Sequence, residues 1–267
     1  KILIGTCVLC MLLFVYIEMK VKDPILPLDL FKINNFRIYS VIGLLTGSIL
    51  FSILTFVPFY LQLARGFSPT ESGIQIIALT VGIISGTTVS GFIMSKTGKY
   101  KFIPFFGAAV MFIGLLFLSN IKISTSRSEL TFLLFVIGLG LGPQLSVITT
   151  AIQNSAPPNQ MGVATAGLTL FRSIGSSVGV ACLSPIFVSK TKERLLTSET
   201  NSFLFDNQLD ITAASAVGLN QGEKLIFHNA FSAGLQSVLI VTACLCILII
   251  ILSVCIKEVP LKTSVET

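Results

Sequence analysis

The sequence sets one cation, Arg172, deep inside a long apolar run. It lies eleven residues into the run at 161–188, or about 16 Å along a hydrocarbon core about 30 Å thick. A guanidinium at that depth costs at least about 2.5–3.5 kcal/mol unless it faces a bundle interior or a wet cavity. Two readings stand side by side: a cavity charge that gates or couples the passage of a solute, and a structural tie to neighbouring carbonyls or a snorkelling side chain. No Asp or Glu occupies the middle of any apolar run, since Glu18 and Glu258 fall at run ends. Proton exchange within a bilayer usually rests on such a carboxylate. If this protein is proton-coupled, its acid is expected outside this chain.

Amides, hydroxyls and rings offer a second kind of chemistry. Thr46, Phe56 and Tyr60 recur with Ile49 and Ile53 at helical spacing, and a later run carries Gln144 and Gln153 with Thr149 and Thr150. An apolar, aromatic pocket with a few amides and hydroxyls suits hydrophobic small molecules. For any one of these residues, helix packing or an intrahelical hydroxyl bond is the favoured reading. His228 is the single histidine, acids number 12 and Trp is absent, so a metal site or polar catalytic cluster has little to be built from. Cys7, Cys10, Cys182, Cys244, Cys246 and Cys255 all sit in apolar runs and read as small hydrophobes, despite the CxxC spacing of the first two. The expectation is no enzyme, no metal and no cofactor.

The elements that must position these residues are membrane helices. With 53% hydrophobic and 11% charged residues and a mean hydropathy of +0.90, the chain cannot cover a water-facing surface. Seven apolar runs stand at 2–18, 38–63, 73–95, 102–119, 130–153, 161–188 and 234–256. Without alternating polarity they predict helices rather than barrel strands, giving an all-α polytopic fold of seven spans. The first run starts at Ile2, without a signal peptide's charged leader, and the chain reads as cut from a longer protein. Residues 189–233 read as a solvated loop, with a short surface helix around Phe203 to Leu209. Four spans carry glycines one turn apart: Gly43 and Gly47, Gly82 and Gly86, Gly138 and Gly142, Gly175 and Gly179. Such steps let helix backbones approach in a bilayer. Pro58 and Pro143 break the hydrogen-bond ladder locally, either near a solute path or as tolerated kinks.

Orientation follows from loop charge. With the loop after the first run on the cytoplasmic side, that side carries nine Lys and Arg in short loops against three on the other. The C-terminus is therefore expected in the cytoplasm and residues 189–233 on the opposite face. The net charge of +6 is cytoplasmic-loop charge on this reading, and nucleic acid is set aside as a partner.

The run from Gly91 through Lys96, Gly98 and Lys99 to Lys101 resembles the loop motif of the major facilitator superfamily. Around it, PLDLFKINNF at 27–36, FVPFYLQLARGFSPTESG at 56–73, AIQNSAPPNQMGVATAG at 151–167, FRSIGSSVGVA at 171–181 and KEVPLK at 257–262 are similar to the C-terminal half of fourteen-span drug:proton antiporters of the EmrB/QacA type. The resemblance implies a linker span and loop at 1–37, a six-helix transporter domain at 38–256 and a cytoplasmic tail at 257–267. It implies efflux of drugs or other small amphipathic molecules by alternating access in the plasma membrane. Its partners would be the small-molecule substrate, protons, the lipid bilayer and a first half that lies outside this chain. Ser95 stands where the loop motif usually has an acid, so that ion pair is not available. Gly138, Gly140 and Gly142 with Pro143 are similar in composition to the family's antiporter motif but fall in a second-half span, so its role does not transfer. The competing class is a seven-helix receptor or sensor without transport activity. A retinal protein would need a Lys in its last span, and 235–256 has none.

Overall fold

The computed structural model describes residues 33–121, 125–196 and 221–256, with isolated positions among the first 31. Six long helices account for nearly all of them: α1 Asn34–Arg65, α2 Pro69–Thr97, α3 Phe102–Ser119, α4 Arg127–Ser155, α5 Met161–Leu196 and α6 Gln221–Val254. A short 3₁₀ turn, Pro158–Gln160, joins α4 to α5. All six helices are long and apolar enough to cross a membrane. Seven were expected, but the first run lies largely outside the described residues, as does the helix expected around 203–209.

Most of the helices overrun the apolar runs that announced them. Helix α1 has 32 residues, about 48 Å at 1.5 Å per residue against a core of about 30 Å. The excess turns are polar and carry the caps. At the start of α2, Ser68 accepts a hydrogen bond from the Glu71 backbone N–H, Glu71 reaches back to the Ser68 N–H, and Pro69 occupies the first turn. Gly66 and Gly98 end α1 and α2 in the left-handed region, at φ 66° and 65°, where a side chain would strain the backbone.

Helices α1 and α4 form the centre of the bundle, with 67% and 56% of their most apolar windows buried. Helices α2 and α5 flank them at 22% and 28%, with α2 packed on α4 and α5 on α1. Helix α3 packs on α4 and α6, and α6 returns to α1 and α5. The low burial of α2 and α5 leaves one side of each available to something outside the bundle.

Both flanking contacts are glycine seams. A methyl group on Gly82 would sit 3.0 Å from Gly138 Cα, and one on Gly142 would press on the backbone between Ile83 and Thr87. Across α1 and α5, Gly47 lies against the Arg172 carbonyl, Gly175 against Leu44 and Gly179 against Ser48. The four glycines of α2 and α4 thus face one another, Gly82 on Gly138 and Gly86 on Gly142, whereas across α1 and α5 each glycine meets a larger residue of the other helix. Ser48 Oγ donates to the Gly175 carbonyl at 2.7 Å, and Thr87 Oγ1 to the Gly142 carbonyl at 3.3 Å. Pro143 leaves the Leu139 carbonyl without its helical donor, and that carbonyl faces Gly86. Close backbone approach of this kind replaces the hydrophobic effect as the source of helix association in lipid.

Candidate functional site

The six cavity candidates do not converge on one surface. Thr46, Phe56, Tyr60 and Gln144 are each at most 5% exposed. Phe56 stacks on Phe187 of α5 with ring centroids 5.3 Å apart, and Tyr60 accepts a hydrogen bond from Ser232 of α6 at 3.3 Å. Gln144 turns toward α3, where its amide nitrogen donates to the Pro104 carbonyl at 2.5 Å, while its amide oxygen is buried without a partner among the described residues. In this conformation Phe56, Tyr60 and Gln144 tie helices together, Thr46 Oγ1 is buried without a hydrogen-bond partner among the described residues, and all four have little or no surface for a ligand.

Gln153 and Arg172 differ. Gln153 is half-buried, and its amide nitrogen donates to Thr165 Oγ1 on α5 at 3.1 Å, joining α4 to α5. Arg172 is half-buried too, with its stem along the Gly47 seam. Its Nε and Nη2 are buried without hydrogen-bond partners among the described residues. Buried donors of this kind in a dry environment cost free energy unless an acceptor meets them.

A line of hydroxyls that hydropathy and motif reading pass over runs beside Arg172. Thr165, Thr169, Ser173 and Ser177 follow one another every four residues along α5, all half or fully exposed. Thr165 donates to the Met161 carbonyl at 2.9 Å, Thr169 to the Thr165 carbonyl at 3.0 Å and Ser177 to the Ser173 carbonyl at 3.2 Å. On α4, half-buried Thr149 and Thr150 donate in the same way to Leu145 at 2.6 Å and Ser146 at 3.2 Å. Donors used within the helix leave oxygen lone pairs facing outward. These hydroxyl oxygens on α4 and α5, joined by the Gln153–Thr165 bond, and the Arg172 guanidinium on α5 make up a candidate wall. The signal that could have found it is the unbroken i, i+4 spacing of hydroxyls in a span with an embedded Arg.

The loop-motif residues lie at one end of the bundle. Gly91 has open space where a side chain would stand, Gly98 supplies the left-handed turn, Lys99 is exposed, and the Lys96 ammonium lies 4.4 Å from the Phe92 ring centroid. At the other end Arg65 donates to the Thr125 carbonyl, and Arg127 pairs with Glu71 at 3.2 Å and covers the Phe67 ring at 4.4 Å. These contacts clasp the α1–α2 turn to the start of α4. No group of three or more His, Cys, Asp or Glu able to hold a metal occurs among the described residues.

Comparison with known proteins adds three kinds of likeness. Residues 2–180 match the sequence profile of the Major Facilitator Superfamily. An uncharacterized MFS-type transporter of Mycobacterium tuberculosis is 30% identical over 252 residues, covering 93% of this chain and 36% of the relative. A multidrug transporter protein of Bacillus subtilis is 33% identical over 192 residues, covering 72% and 35%, and a tetracycline resistance determinant of Streptomyces rimosus is 31% identical over 183 residues, covering 68% and 53%. The chain thus spans between a third and a little over half of these relatives' lengths. Among solved structures, a bacterial homolog of the human lysosomal transporter Spinster, inward-facing and unoccupied, superposes with a TM-score of 0.68 at 14% identity, covering 85% of this chain and 48% of that one. That likeness concerns the fold alone. Six apolar helices joined by glycine seams, the Gly91 to Lys101 loop and the profile match over two thirds of the sequence lead to one assignment: this chain belongs to the Major Facilitator Superfamily.

Proposed function

We propose that this chain is the C-terminal domain of a secondary transporter that exports small amphipathic molecules by alternating access. The observation that carries this reading is the wall on α4 and α5, where outward acceptors stand beside the unmet donors of Arg172. An apolar surface with such acceptors suits lipophilic molecules that carry donor groups, lipophilic cations among them. The names of the Bacillus and Streptomyces relatives point toward the same substrate class. Rocking needs a second domain against the open sides of α2 and α5, and the low burial of those helices supports this. Proton coupling is part of the proposal, with the titrating carboxylate on the other domain, because the apolar runs of this chain hold no Asp or Glu at mid-depth. The C-terminus and the Lys96 to Lys101 turn are assigned to the cytoplasm on the short-loop charge excess. Nothing in the bundle favours the receptor reading.

The test is efflux of a fluorescent lipophilic cation from cells making this chain alone, then together with the first half of a close relative as a separate chain. Efflux is expected only with both halves and should collapse with an uncoupler. Uncoupler-sensitive efflux by this chain alone would refute the reading.

A further inference from the structure

A second concavity has no part in the wall just described. It lies between α2, α3 and α4 at the end of the bundle that carries the α2–α3 turn, with a volume of about 600 Å³. Its sides are Val89, Ile93, Phe106 and Val110, and its floor is Leu139 and Pro143. The seam glycine Gly86 and Gly107 of α3 line it as well. Lys99 forms its mouth.

Among the described residues of α2 and α3 near that mouth, the charge has one sign. From Ser72 to Ser128 the sequence contains no Asp or Glu, yet Lys96, Lys99 and Lys101 fall within six residues. None of the three makes an ion pair among the described residues. Two lie against rings: Lys96 is 4.4 Å from the Phe92 centroid and Lys101 is 5.8 Å from that of Phe102. Phe92 and Phe102 are themselves exposed, at 58% and 63%. Helix α3 begins here with no side-chain cap and no acid in its first turn, so its positive dipole end is uncompensated. An apolar groove opening at membrane depth beneath an unpaired cationic rim matches a molecule with a long hydrocarbon chain and an anionic head.

We propose that this groove seats an anionic glycerophospholipid, one acyl chain lying between α2 and α3 and its phosphate at Lys96, Lys99 and Lys101. The site requires only that the chain reside in a bilayer, so it stands or falls separately from the efflux reading. Surface lysines attract anionic lipid by about fivefold each, whereas a seated chain adds dependence on the groove's shape.

The chain contains no Trp, so Phe106→Trp gives a single fluorophore at the groove. The full chain would be reconstituted into phosphatidylcholine vesicles containing an equal fraction of either brominated phosphatidylglycerol or brominated phosphatidylcholine. Phe117→Trp, 64% exposed at the far end of α3, serves as the reference position. Quenching at 106 should favour phosphatidylglycerol by at least about fivefold, while 117 shows no preference. Lys99→Gln with Lys101→Gln should remove the preference, and so should Val110→Phe, which fills the groove and leaves the lysines intact. Equal quenching by both lipids at 106 would overturn the proposal. So would a preference that survives Val110→Phe, which would mean diffuse attraction to the lysines. Absence of quenching by either lipid would also overturn it, since the groove would then be closed to lipid.

Discussion

The α1–α5 seam can be challenged at Gly179. An Ala methyl there would sit 2.6 Å from Ser48 Cβ, 2.7 Å from Ser48 Cα and 2.9 Å from Ser48 Oγ, where ordinary contact begins near 3.4 Å. Ser48 cannot swing away, because its Cα and Cβ are among the atoms struck, so the helices must separate by about 0.8 Å. Overpacking of this kind costs about 1–3 kcal/mol. The separation also stretches the 2.7 Å bond from Ser48 Oγ to the Gly175 carbonyl, worth about 0.6 kcal/mol in a membrane protein. Gly91→Ala is the matched control: its methyl meets nothing within 4 Å, and a helical Gly→Ala change gains about 0.5–1 kcal/mol. The two variants should therefore differ by about 2–4 kcal/mol, or about 4–16 °C in Tm at about 2–4 °C per kcal/mol. Cys246 is fully buried, so a thiol-reactive dye in a background with the other five cysteines replaced reports opening of the bundle on heating. If Gly179→Ala melts with Gly91→Ala, the seam contributes no stability and the reasoning fails.

Three further outcomes are expected. Ser48→Ala should lower stability by about 0.6 kcal/mol in the same dye assay, since it removes the hydroxyl and leaves the glycine contacts in place. Arg172→Leu should lower efflux by the assembled transporter more than it lowers the amount in the membrane, with Arg172→Lys restoring only part because planar donor geometry is lost; equal efflux and amount across all three would remove this residue from the mechanism. A single cysteine at Lys99 should resist an impermeant reagent applied to intact cells while one at Arg127 reacts, and the reverse would invert the orientation.

Much of the bundle was legible in the sequence because a bilayer permits few alternatives. Runs of apolar residues without alternation can only be helices there, and glycines one turn apart mark seams. Which seam meets which was not legible, since spacing along α2 holds no information about α4. The surroundings of the cavity candidates were not legible for a related reason. In water the buried stripe of a helix is the apolar one, whereas here the lipid-facing stripe is equally apolar: Phe106 is 64% exposed and Phe231 is fully buried. Helical spacing grouped Phe56 and Tyr60 on one face but could not tell whether it looked toward a ligand or toward α5 and α6. Polarity discriminates better, because exposed hydroxyls at membrane depth, such as Thr169 and Ser173, call for an aqueous or protein environment. Helix ends were read short because hydropathy stops at the hydrocarbon edge, while caps such as Ser68 and Ser126 lie beyond it.

The wall on α4 and α5 is the central claim, and substrate protection of single cysteines tests it most directly. Cysteines at Thr149, Ser173, Phe56 and Tyr60 would be introduced one at a time into the assembled two-half transporter, and their alkylation rates compared with and without the transported cation. Thr149→Cys and Ser173→Cys should be slowed by the cation, with Phe56→Cys and Tyr60→Cys reacting slowly and unchanged. Protection at 56 and 60 with none at 149 and 173 would put the solute path on the other face of α1 and contradict the account.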